Sequence, residues 1–298
     1  MPGISKLIKN RIKSVSNARN ITRAMELVAA AKIKKAVDNL LASRTYARHA
    51  RELLISLSKE KSLKHPLLSA SENKKELLIV ISSNRGLCGS YNSNVLKAAV
   101  KYIRENKDKK IDFITVGRKA ETISRELGGK IIASFVGLPD DLCAEDIIPI
   151  SKMAIDEFIN KNYGKVSIAF TDFISSLRYE AKVSSLLPIT KDNLAKILGL
   201  EKNEESKKAE AIILFEPDEE RVLDLVLPRL TEVRIYQTVL EGNASEHSAR
   251  MMAMKNATDN AKTLTEELTL YYNQARQASI TQEIAEISSG IEALTDGG

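Results

Sequence analysis

Residues 4–58 contain neither proline nor glycine. No other feature constrains the fold as much, because so long a run of helix formers offers no residue at which to turn. Ile8, Ile12, Val15, Ala29, Ile33, Ala36 and Leu40 fall on one seam, with alternating steps of three and four. Arg19, Thr22 and Glu26 interrupt that seam, while Ile21, Met25 and Val28 sit on a neighbouring face. A helix of this extent would be about 80 Å long at ~1.5 Å per residue, more than a domain of ordinary size can cover. The polar stretch Lys59 to Lys64, followed by His65-Pro66, should end it, because proline disfavours helix in the residue before it.

A second seam starts at Leu230 and runs through Val233, Gln237, Leu240, Ala244, His247, Met251, Met254, Thr258, Ala261, Thr265, Leu268, Tyr272, Ala275 and Ser279 to Gln282. Pro228 should mark a start or a kink. Roughly 70 residues of helix, about 105 Å at ~1.5 Å per residue, with heptads sustained along it, argue for a coiled coil. Charge supports the pairing of the two ends. Residues 1–48 hold eleven Lys/Arg and two acids, whereas residues 217–298 hold seven Lys/Arg and fourteen acids. Wound together antiparallel, each helix buries the other's apolar stripe and the basic segment lies beside the acidic one. Met251 and Met254 read as packing within that seam.

Between the helices the pattern changes. All six Phe lie between Phe113 and Phe215, and no glycine occurs from Ile4 to Arg85 or from Asn243 to Ser289. The periodicity predicts strands at Leu77–Ile81, Ile111–Val116, Ile131–Phe135, Val166–Phe173 and Val183–Leu187, and at Ala211–Phe215 after the charged linker Glu201–Lys208. Helices are predicted at Asn92–Arg104, Arg118–Leu127 and Glu145–Asn160. Alternating strands and helices give a mostly parallel sheet covered on both faces. The expected fold is α/β with long helices: an antiparallel coiled coil of N- and C-terminal helices plus an inserted Rossmann-like α/β domain. The expected segments are 1–65, 66–216 and 217–298.

Several function classes are disfavoured. The longest purely aliphatic run, Leu77 to Ile81, falls far short of the roughly 20 apolar residues a bilayer span needs, and no apolar signal segment opens the chain. Two cysteines, Cys88 and Cys143, cannot form a disulfide framework or a zinc site. His49, His65 and His247 lack metal-ligand spacing, so no metal and no cofactor are expected. The loop Ser82–Ser90 follows a strand and precedes a helix, a place that often binds phosphate. It lacks both GxGxxG and the P-loop lysine, so it reads as a structural turn, with an α/β enzyme using Gly86–Gly89 as a minor alternative. Cys88 has no histidine near it in sequence and reads as a buried thiol. The basic N-terminal helix leaves a coiled-coil scaffold or nucleic-acid adaptor as another alternative, although Tyr46 is its only aromatic. No acid precedes Glu26, as in a transit peptide, but the seam continues past any cleavable length.

Four segments are distinctive: Ile21–Lys32 (ITRAMELVAAAK), Ser83–Asn92 (SNRGLCGSYN), Glu241–Met254 (EGNASEHSARMMAM) and Arg276–Ile287 (RQASITQEIAEI). In these, and over essentially its whole length, the chain resembles the gamma-subunit family of the F-type ATP synthase. It departs from the family pattern at His247, where Gln is expected, and at Ile291, where Ala usually follows Gly290. The cysteine-bearing insert of chloroplast members is absent. The resemblance implies a non-catalytic rotor subunit that couples ion-driven rotation to the cycling of catalytic β subunits. It implies as partners the α and β subunits of the head, the epsilon subunit and the membrane ring of c subunits, with no nucleic acid. It implies a peripheral position on the cytoplasmic face of a bacterial plasma membrane. By motif, Arg23, Met25 and Lys32 match the segment that meets the acidic lever loop of β. Arg250, Arg276, Gln277, Thr281 and Glu283 match positions that touch the head or tune coupling.

Overall fold

The computed structural model describes residues 2–57, 65–69, 71, 73–139, 142–189 and 219–295. The glycine-free N-terminal run forms a single helix, α1 (Pro2–Leu57). A 3-10 turn (Pro66–Leu68) leads to β1 (Lys75–Ile81), α2 (Tyr91–Glu105), β2 (Lys110–Val116), α3 (Arg118–Glu126) and β3 (Ile131–Phe135). A second 3-10 turn (Ala144–Ile147), α4 (Ile148–Ile159), β4 (Lys165–Ser175), β5 (Arg178–Leu187) and the long α5 (Glu219–Thr295) follow. The chain forms two compact units. One comprises Met1–Ala29 with Arg250–Gly298, the other Ala30–Ala249.

The second unit holds a five-stranded sheet of order β3-β2-β1-β4-β5. The first four strands are parallel and β5 returns antiparallel to β4. Successive side chains of a strand point to opposite faces, so each central strand feeds two cores. Leu77, Ile79 and Ile81 of β1 join Ile114, Val116, Ile168 and Phe170 on one face, packed by Ile150, Ala154 and Phe158 of α4 and Leu227 and Leu230 of α5. Leu78 and Val80 join Phe113 and Ala169 on the other, packed by Val95 and Ala99 of α2 and Ala120 and Ile123 of α3. Leu40 of α1 is buried in the first of these cores.

In the first unit α1 and α5 pair antiparallel. Thr258 Oγ1 lies 2.8 Å from Thr22 Oγ1. Ile8, fourteen residues before Thr22, shares a groove with Leu268, Tyr271 and Ala275, which bracket the position fourteen after Thr258. From residue 258 on, the less exposed residues of α5 are Thr258, Ala261, Thr265, Leu268, Tyr272, Ala275 and Ser279, all on the expected seam, whereas between 250 and 257 the half-buried set also takes in Met252, Ala253 and Ala257 beside it.

Four details differ from the sequence reading. Arg19, Thr22 and Glu26 do not break the seam, because they are half-buried in step with it, and the apolar Ile21 and Val28 face outward at 62% and 56% exposure. Gln282, the last expected seam position, is exposed. Pro228 does not mark a start: it lies inside the C-terminal helix, which begins at Glu219, at the opening of the expected segment 217–298. The helix expected at Glu145–Asn160 opens as a 3-10 turn, and α4 starts afresh with Pro149 in its first turn, where a missing N–H costs nothing. The strand expected at Ala211–Phe215 and the linker Glu201–Lys208 lie outside the described residues. Among the described residues no helix is long and apolar enough to cross a membrane.

Candidate functional site

Two places in the fold need a functional reading, the loop after β1 and the exposed faces of the helix pair. The loop lies at the carboxyl edge of the sheet, next to the point between β1 and β4 where strand order reverses and doubly wound folds bind ligands. Its interior is occupied by its own side chains. The Ser83 amide donates to Asn92 Oδ1 at 3.2 Å, and Asn92 Nδ2 donates to Cys88 Sγ at the same distance. Asn84 Oδ1 accepts from the Arg118 amide at 3.1 Å, tying the loop to the start of α3. Cys88 and Tyr91 are buried against Ala249 of α5. A Cβ added to Gly242 would come 3.3 Å from both Ile81 Cγ2 and Tyr91 Oη, so α5 passes this edge at backbone distance. The loop therefore holds a helix where a nucleotide-binding fold would hold phosphate. Both cysteines are free, Cys88 buried and Cys143 exposed. The Cys143 thiol donates to Asp146, which pushes its pKa up.

The second place is the surface of the helix pair. Arg23 is exposed and its guanidinium donates to both carboxylate oxygens of Glu26 at 2.9 Å. Met25 is half-buried beside it. Arg250 is half-buried, whereas Arg276, Gln277, Thr281 and Glu283 are exposed on α5. By the antiparallel pairing, Arg23 and Met25 lie level with residues 255–257 of α5. The Arg276–Glu283 group starts about 30 Å farther along at ~1.5 Å per residue. The candidates of this unit thus form two places on one helix pair rather than one site. Lys32 is half-buried and belongs to the other unit.

One feature of this surface escaped the sequence reading. Ile280, Ile284, Ile287 and Ile291 are 46 to 63% exposed, at steps of four, three and four. They sit one position off the seam that ends at Ser279. The pairing brings Ser279 level with the start of α1, so later residues have no α1 residue opposite. Following the apolar pattern rather than the seam would have found this stripe.

Comparison with known proteins decides the family. A family model described as ATP synthase matches residues 5–294. The ATP synthase gamma chain of Herpetosiphon aurantiacus is 40% identical over 298 residues, covering 96% of this chain and 97% of its own. That of Legionella pneumophila strain Corby is 38% identical over 296 residues, covering 97% and 99%. The chain belongs to the ATP synthase gamma chain family. The rotor of Euglena gracilis mitochondrial ATP synthase superposes with a TM-score of 0.66 at 18% identity, covering 94% of this chain and all of that one. The central stalk and c-ring structure of Tetrahymena thermophila mitochondrial ATP synthase gives 0.58 at 25% identity, covering 80% and 99%. The first likeness is one of fold. Four of the gamma-chain candidates, Arg276, Gln277, Thr281 and Glu283, share one end of α5 with the exposed isoleucine stripe.

Proposed function

We propose that this chain is the central-stalk subunit of an F-type ATP synthase, turned by the c-ring and acting on the conformations of the catalytic β subunits. The observation that carries this reading is the far end of α5. A helix that leaves its partner and presents four isoleucines on one face needs an apolar sleeve around it. The α and β subunits of a hexameric head supply such a sleeve. Arg276, Gln277, Thr281 and Glu283 then meet the head just beside the stripe. Arg23, Met25 and Lys32 meet the acidic lever loops of β, where basic side chains find complementary charge, and Arg250 touches the head or tunes coupling. The sheet-bearing unit is the foot on the epsilon subunit and the c-ring.

The chain does no bond chemistry in this scheme. Its surface differs around its circumference, so each orientation contacts the three β subunits differently and biases their equilibrium. The subunit is peripheral, on the cytoplasmic face of a bacterial plasma membrane. The test is co-purification with the head, followed by ATP-driven ion pumping in vesicles. A chain that fails to join the head, or a head that pumps equally well without it, would overturn the proposal.

A further inference from the structure

In a parallel sheet every strand begins at the same edge, so whatever the sequence places before each strand is gathered there. Four connections feed that edge in the second unit: residues 73–76, 106–110, 128–130 and 160–165. Eight of these eighteen residues are lysine. Lys74 and Lys75 open β1, and Lys75 is the register partner of Lys110, the first residue of β2. Lys107 and Lys109 lie in the turn before β2, Lys130 precedes β3, and Lys161 and Lys165 flank the start of β4. All are exposed except Lys165, which is half-buried.

The acids in these connections are Glu76 and Asp108, with Glu72 directly before the first in sequence. Glu76 is 2% exposed and already engaged. It pairs with Lys109, lies 3.9 Å from Lys165 Nζ, and accepts from Tyr102 Oη at 2.7 Å. Among the described residues, Lys74, Lys75, Lys107, Lys110, Lys130 and Lys161 have no carboxylate within ion-pair distance. Arg104 with Glu105, and Arg125 with Glu126, cancel at the nearby ends of α2 and α3, while Asp156 and Glu157 lie in the last turn of α4. The edge remains strongly positive.

It is also a built surface. Asn73 Nδ2 donates to the carbonyls of Lys161 and Asn162 at 2.8 and 3.0 Å, and the Gly164 amide donates to the Lys75 carbonyl at 2.8 Å. A Cβ on Gly164 would fall 2.0 Å from the Asn73 carbonyl oxygen, so only glycine permits this closeness.

We propose that this lysine edge docks on anionic phospholipid headgroups, an inference that rests on the central-stalk reading for the nearness of a membrane. The residue types choose lipid over protein. The four connections hold no arginine and no exposed large apolar side chain, and Ile159 alone stands next to them. A protein interface wants aromatic or arginine anchors in a fixed geometry. Lysines on flexible stems act as point charges, and mobile phosphates satisfy them without a fixed partner.

The test is flotation of the full-length chain with phosphatidylcholine vesicles, with and without phosphatidylglycerol. Each lysine near an anionic leaflet is worth about fivefold in partitioning. The combined variant Lys107→Gln, Lys110→Gln, Lys130→Gln and Lys161→Gln should weaken binding to anionic vesicles by at least about tenfold. The helix α1 is basic too, so Lys6→Gln, Lys9→Gln, Arg11→Gln and Lys13→Gln together serve as the reference and should change it by less than about threefold. The proposal is overturned if the edge variant floats like wild type or if both variants lose binding equally. An edge variant that floats normally but no longer assembles with partner subunits would assign the edge to an acidic protein instead. Failure of wild type to join the head would remove the central-stalk reading without altering the flotation result.

Discussion

Single residues in both units carry measurable consequences. In the helix pair, Thr22 donates to the Arg19 carbonyl at 3.0 Å, which leaves its oxygen to accept from Thr258. Thr258 Oγ1 also lies 2.8 Å from the Met254 carbonyl, so its one proton is shared between that carbonyl and Thr22, and the two threonines form one polar layer. Thr22→Val or Thr258→Val alone should cost about 1 kcal/mol, and the double variant less than the sum, with a coupling of about 0.5–1 kcal/mol. Strict additivity in denaturant titrations would show that the layer does not act as a unit. In the other unit, His65 Nδ1 accepts from the Leu67 amide at 3.0 Å, so Nε2 carries the proton toward Asp224 Oδ1 at 3.1 Å. Burial lowers the His65 pKa, and Asp224 only partly restores it. The unfolded chain therefore takes up this proton first as pH falls below about 6.5. The stability tied to neutral His65 is complete above that pH and is lost as pH falls toward the folded value, by at most about 1.4 kcal/mol per unit. His65→Gln should flatten the slope of stability below about pH 6.5, and Asp224→Asn should steepen it. Parallel slopes in urea titrations of all three proteins would exclude the role.

Among the elements, the end of α5 is the most exposed to test. Ile284 and Ile287 are 59% and 63% exposed, so changing both to Ser should leave the unfolding midpoint of the isolated chain unmoved. If the head covers them, the double variant loses burial of about 1.5–3 kcal/mol per side chain. Binding to the head should then weaken by roughly a hundredfold or more, read by titration of labelled chain onto α and β subunits. Unchanged affinity would place the stripe outside the head. Both long helices and β3 were legible with nearly correct ends, since glycine, proline and periodicity are local signals. The first half of β5, Arg178–Lys182, was not. Its polar residues alternate with Tyr179 and Ala181, and pairing with β4 makes it a strand, including Lys182 with Asp172. Of the candidate site, the basic and polar positions were visible only through family motifs. The lysine edge was invisible because its members are scattered over about ninety residues and meet only through parallel topology.

At the scale of the whole molecule, the question is how a surface with no chemistry of its own governs coupling. Met25 is half-buried on α1, two residues from exposed Arg23 and one from Glu26, which Arg23 already holds. A flexible apolar side chain here can slide past several β conformers without forming an ionic bond to any. Met25→Lys puts a further long cation beside Arg23 and, where α1 meets β as proposed, within reach of an acidic lever loop. A charge-assisted contact in a partly desolvated interface is worth about 1–3 kcal/mol. If that contact forms in only one orientation, it deepens one well of the rotary cycle and raises the climb out of it by the same amount. Rotation then waits at that step, and part of the energy of hydrolysis no longer reaches the ion. We expect Met25→Lys to assemble normally, to hydrolyse ATP, and to pump fewer ions per ATP than wild type, with a steeper temperature dependence of synthesis. Met25→Ala removes packing but adds no ionic trap, so its coupling should stay near wild type. The measurement is ATP-driven ion uptake into vesicles divided by the hydrolysis rate. Equal ratios for wild type, Met25→Lys and Met25→Ala would mean that α1 meets the lever elsewhere, and Arg23 and Lys32 would become the positions to test.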